Sequence, residues 1–131
     1  MTADVKRGGV LIRLDGAMHF VPASVAIAIT PTPQIARVPG APETLLGAAL
    51  HDGEVVPVVA IGTARAPMLV CSYLGEKVGL LGAQVEATGL FEADPLAADT
   101  VRYNGETARA FDLASIYARI QGEGWAGRWR A

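Results

Sequence analysis

Two histidines, one cysteine and three serines are the residues in this chain with the most reactive side chains, and their spacing gives none of them a working partner. His19 and His51 stand without a second ligand at metal-binding spacing, so no metal centre is expected. Ser24, Ser72 and Ser115 lie outside any Gly-x-Ser-x-Gly turn, the geometry that exposes a nucleophilic hydroxyl. Cys71 closes the apolar run Met68-Leu69-Val70-Cys71, where burial favours the inert thiol over the thiolate. Asp15 and Asp52 are the remaining candidates, as a carboxylate pair, but each precedes a glycine and its type is accounted for by turn chemistry. No phosphate-binding glycine loop and no basic-aromatic face is present. These residues predict a protein that is not an enzyme, holds no cofactor and does not bind nucleic acid.

The elements that carry them are short strands. The chain has 131 residues, 51% apolar and 18% charged, with a net charge of −2, enough for one domain or two small lobes sharing a core. Residues 1–9, MTADVKRGG, lack the apolar centre of a signal peptide, and no run reaches membrane-spanning length, so a cytoplasmic location without membrane insertion is expected.

The densest local grammar lies between Arg37 and Ile61. Pro42 to Leu46 reads as one helical turn with Gly47 as its left-handed cap. Gly47 to His51 is then a strand, Asp52-Gly53 a two-residue hairpin turn, and Glu54 to Ile61 a second apolar strand. Pro57 cannot donate to a ladder, which puts its part of the strand at an edge, a bulge or a seam.

Elsewhere, Val10–Leu14 and Ala17–Val21 form a hairpin around Asp15-Gly16, and Pro22 to Val25 reads as a helical turn. Ile27 and Ile29 continue as an extended segment, and Thr30-Pro31-Thr32-Pro33 is a stiff linker. Met68–Leu74 and Lys77–Leu81 flank a reversal at Gly75-Glu76, and the apolar run continues through Val85 to Leu90. Asp94 and Pro95 open a turn, and Asn104-Gly105 makes a last hairpin. Leu113, Ile116, Tyr117 and Ile120 form a single helical stripe behind the cap Asp112, ending near Gln121. Residues 122–131, rich in Gly, Trp and Arg, are set apart as a tail. The class is all-β with one C-terminal helix.

The stretch from Arg37 resembles the CheW family of chemotaxis adaptors. The residues that carry the resemblance are Val38-Pro39-Gly40-Ala41-Pro42, Gly47, and Gly53 to Val59 as G-E-V-V-P-V-V, supported by Pro22, Ile29, Pro31, Val78 to Leu81 and Ala110 to Leu113. The resemblance implies two small five-stranded SH3-like barrels sharing a core within residues 1–121. It also implies a non-enzymatic bridge between chemoreceptor tips and the regulatory domain of a CheA-type histidine kinase, or another CheW-like protein.

Residues matching the family's contact positions are Ala26, Ala28 and Ile29; Arg37 and Val38; and Asp52, Gly53 and Glu54, while Gly47 and Gly53 are expected to serve turns. Several depart from the pattern. The arginine usual at the hairpin turn is Asp52, and the Val and Glu usual before Ile29 are Ala26 and Ala28. Fold positions are kept while polar recognition positions change, which predicts a divergent adaptor with an altered receptor contact. The other reading is a small β-barrel that binds a small molecule or regulates an enzyme outside chemosensory arrays.

Overall fold

The computed structural model describes residues 5–37, 39, 45–65 and 67–122. Among these residues ten strands and one helix follow in order. Five strands close a barrel: β1 (Lys6–Leu14), β2 (Ala17–Pro22), β8 (Gln84–Ala93), β9 (Thr100–Tyr103) and β10 (Glu106–Ala110), in the order β1-β2-β10-β9-β8. The others form a second five-stranded sheet: β3 (Ala26–Thr30), β4 (Leu45–His51), β5 (Glu54–Ala60), β6 (Met68–Tyr73) and β7 (Glu76–Leu81), in the order β3-β6-β7-β5-β4. The helix α1 (Leu113–Gly122) follows β10. One lobe is thus a closed barrel. The other keeps β3 and β4 as its two edge strands among the described residues, yet Ala28 of β3 and Ala49 of β4 pack on one cluster, so this sheet is strongly curved.

Alternation along the strands explains how so small a chain fills three clusters. On β1, Leu11 points into the barrel beside Phe20, Phe91 and Val101, while Val10 and Ile12 point the other way. On β6, Met68 and Val70 fill the second lobe with Val58, while Leu69 and Cys71 turn outward from it. The outward sets meet, and with Val59, Leu80, Leu113 and Tyr117 they form the shared core. Strands buried on both faces read as unbroken apolar runs, which is why Val58-Val59 and Leu69-Val70-Cys71 carry no polar break.

The turns follow their residues. Asp15-Gly16, Asp52-Gly53 and Asn104-Gly105 all take positive φ at both positions, as two-residue hairpins of the primed type require. Asp112 caps α1, its carboxylate accepting the Ser115 N–H at 3.1 Å and the Ser115 hydroxyl at 2.5 Å. Pro57 lies opposite Ala48, next to the Ala49–Val56 pair of the hairpin ladder, and the β5–β7 ladder begins only at Val58. The missing donor therefore falls where no partner strand asks for it.

Several expectations are corrected. Leu45 and Leu46 belong to β4, not to a helical turn; Pro42 to Thr44 lie outside the described residues. Gly47 sits inside β4 at a register shift with φ +154, not at a helix cap, because the backbone of Ala36 passes against it. The reversal after β6 is at Leu74-Gly75, one residue earlier than expected, and Glu76 already pairs with Tyr73. The segment after Pro22 is one hydrogen-bonded turn, Val25 N–H to Pro22 C=O at 3.0 Å, and Pro22 itself ends β2. Helix α1 reaches Gly122, the first residue set apart as tail; residues 123–131 lie outside the description.

Candidate partner interface

The second lobe presents an uncharged strip on its outermost hairpin. With Asp52-Gly53 as the turn, His51 pairs with Glu54, Leu50 with Val55 and Ala49 with Val56. Cross-strand partners share a face, so the Ala49–Val56 pair goes inward and the Leu50–Val55 pair outward. Leu50 is 68% exposed and Val55 54%. Beside them Pro33, Gln34, Ala36, Ala48 and Ala49 complete a shallow depression of about 460 Å³ without a charged group. Ala36 fixes this wall by exchanging two backbone hydrogen bonds with Ala48, both 2.8 Å. Exposed apolar residues gathered in one patch mark contact surfaces more often than scattered ones do.

Charge begins at the hairpin tip. The Asp52 side chain is 83% exposed, and its carboxylate lies 3.5 Å from Nε2 of the largely buried His51. Glu54 accepts a hydrogen bond from Lys77 Nζ at 3.0 Å. The strip thus ends in one solvent-facing anion and one neutralised pair. Surface pairs of this kind add little stability, so their value lies in selecting what can approach.

The remaining expected contact residues fall elsewhere. β3 is the opposite outer strand of the same sheet, paired only with β6 among the described residues. Its alternation turns Ala26 toward the shared core and Ala28 toward the second lobe's own cluster, while Ile27 and Ile29 are 45% and 41% exposed. Ile29 is therefore on the surface with Ile27, a residue the sequence placed in this segment but not among the contact positions. Arg37 is exposed, and Val38 lies outside the described residues. The structure brings Asp52, Gly53 and Glu54 together at one tip and keeps Ala26, Ala28 and Ile29 on the other outer strand. Leu50 and Val55 were missed as well, although the register set by Asp52-Gly53 was enough to put them outward.

The other polar candidates have structural surroundings. His19 packs edge-on against Phe111, ring centroids 6.0 Å apart. Burial pushes the Cys71 thiol up to about 12 and the Tyr117 phenol up to about 12; the phenol donates to the Glu76 carbonyl and its ring lies 5.0 Å from that of Tyr73. Asp15 and Asp52 sit in separate turns, one in each lobe. Among the described residues no three His, Cys, Asp or Glu side chains gather, and no helix is long and apolar enough to cross a membrane.

Neither a protein-family model nor a curated protein matches the sequence. Among solved structures, the chain is similar to the scaffolding protein TtCheW from Thermoanaerobacter tengcongensis, with a TM-score of 0.65 and 13% identity, over 79% of this chain and 87% of that one. Identity that low speaks for architecture alone. The chain has a CheW-like fold.

Proposed function

We propose that this protein is a non-enzymatic adaptor of a bacterial chemosensory pathway, working in the cytoplasm. Its partner is the regulatory domain of a CheA-type histidine kinase, or another CheW-like protein. The observation that carries this reading is the likeness of the two-lobed fold, over 79% of the chain, to a CheW scaffolding protein, joined to an uncharged strip on an outer hairpin of one lobe. The Leu50–Val55 face suits packing against a lobe of similar shape, where apolar anchors rather than charges supply most of the energy.

Contact with a conventional chemoreceptor tip is altered on this reading. Where the family resemblance expects a cation at the hairpin turn, the chain presents the exposed Asp52, and like charges brought together at an interface cost several kcal/mol. The test measures binding of wild type, Leu50→Asp and Asp52→Arg to a CheA-type regulatory domain and to a receptor tip. Leu50→Asp should lose at least tenfold in kinase-domain affinity, about 1.4 kcal/mol. Asp52→Arg should gain receptor binding. Equal kinase-domain binding by Leu50→Asp, or receptor binding that Asp52→Arg weakens, would overturn the proposal.

A further inference from the structure

The closed barrel has a split seam. β8 is ten residues long, but only Glu92 and Ala93 pair with β9; from Gln84 to Phe91 its side away from β1 has no strand partner among the described residues. The strands diverge into a wedge of about 680 Å³, with β8 as one wall and the β9–β10 hairpin as the other. Its inner end is the barrel core: Phe91 is buried there, its ring edge-on to Tyr103 at 5.5 Å. On the β8 wall Thr88, Gly89 and Leu90 are all exposed, Leu90 by 70%.

The rim of this wedge is acidic. Across its mouth Arg13 forks between the two walls, 3.2 Å from Glu86 of β8 and 3.1 Å from Glu106 of β10, one cation shared by two carboxylates. At the inner end Glu92 has no ion pair among the described residues, and the Arg102 guanidinium beside it is turned to Asp94 at 3.2 Å. Excess negative charge therefore remains at the mouth, where one cation faces two carboxylates, while Glu92 stands between Lys6 and Arg102 at the inner end of an exposed row of backbone donors and acceptors.

We propose that this wedge binds one extended basic peptide segment of a partner protein, added as a strand to the free side of β8. The backbone of the segment would pair with Thr88 to Leu90, alternate apolar side chains would rest on Tyr103 and Leu90, and lysine or arginine would meet Glu92 and the Glu86–Glu106 pair. A second copy of this chain is a poorer occupant. Its β8 is walled by its own hairpin, so two such edges cannot enter one another, whereas a single strand can lie between both walls. This surface belongs to the barrel and is independent of the Leu50–Val55 strip on the other lobe.

The test selects random decapeptides displayed on phage against the full chain, then maps a synthetic winner by backbone amide shifts. Expected winners alternate apolar and basic residues, perturb the amides of Glu86 to Glu92 and Arg102 to Thr107, and lose at least tenfold in affinity when alternate peptide amides are N-methylated. Glu92→Gln, an exposed change of nearly equal shape, should weaken them about threefold or more while leaving the unfolding midpoint unmoved. Winners that map to the other lobe, bind equally well when N-methylated or when lysine is replaced by glutamate, or cannot be selected at all, would overturn the proposal. Concentration-dependent dimerisation perturbing the same amides would overturn it too, in favour of a second copy.

Discussion

At the residue scale, the two glycines of the β4–β5 hairpin separate two kinds of constraint. Gly53 is required for its φ of +77 alone, since an added Cβ would meet nothing within 4 Å. Gly47 is required for space as well: at φ +154 an added Cβ would stand 2.2 Å from the Ala36 carbonyl oxygen and 2.8 Å from the Ile35 side chain. Gly53→Ala should cost about 1 kcal/mol, the left-handed penalty of a residue with a Cβ. Gly47→Ala should cost about 3 kcal/mol, because the Ala36–Ala48 bridge must move to admit the methyl. Urea unfolding of the two variants ranks them, and a Gly53 variant less stable than the Gly47 variant would reject this division. The sequence showed that both positions matter but gave the wrong reason for Gly47. Its role depends on Ala36, eleven residues away, and a close approach between distant backbones leaves no local pattern to read.

At the element scale, what could be read was whatever local rules decide. Asp-Gly and Asn-Gly turns, the Asp112 cap and the Leu113, Ile116 and Tyr117 part of the α1 stripe are choices made within a few residues, and the structure has them where the residues put them. Leu74-Gly75 was misplaced because a leucine in the left-handed region defies propensity. It is held there by the β6–β7 register, fixed from Met68–Leu81 through Tyr73–Glu76. The candidate interface suffered a similar loss. Ala26 and Ala28 match the family's contact positions in sequence, whereas the alternation of β3 faces them inward and Ile27 and Ile29 outward. The cap permits a pH test. Hydrogen bonds from Ser115 hold the Asp112 carboxyl below the ordinary carboxylate range. A depressed folded-state value means the cap stabilises the helix above the unfolded value of about 3.9, and that this contribution fades as the pH falls through the lower folded value. Acid titration of helical dichroism should therefore show α1 weakening only below about pH 4, and Asp112→Ala should remove that step. A variant retaining it would place the cap elsewhere.

At the scale of the whole molecule, the two lobes are one unit because they share side chains rather than a surface. Val10, Ile12 and Val21 of the barrel pack with Val59, Leu69, Cys71 and Leu80 of the second sheet, and Leu113 and Tyr117 close the cluster from the helix. Neither lobe could expose this layer and remain folded, so unfolding should be a single cooperative event. Cys71 reports on it directly. Its thiol is fully buried in the shared core and is pushed up to about 12 by that burial, so almost no thiolate exists at neutral pH while the core is closed. Labelling by an aromatic disulfide reagent must then wait for the core to open. If the lobes open together, the labelling rate should rise with urea along the slope of global unfolding measured by dichroism, because that slope scales with the surface exposed. Ile12→Ala, which removes a barrel residue from the shared layer, should accelerate labelling of Cys71 in the other lobe. With a truncation cost of about 2–4 kcal/mol, the acceleration should be at least about thirtyfold. Rapid labelling without urea, with a shallow slope and no response to Ile12→Ala, would mean that the second lobe opens alone and that the shared layer does not bind the two lobes into one.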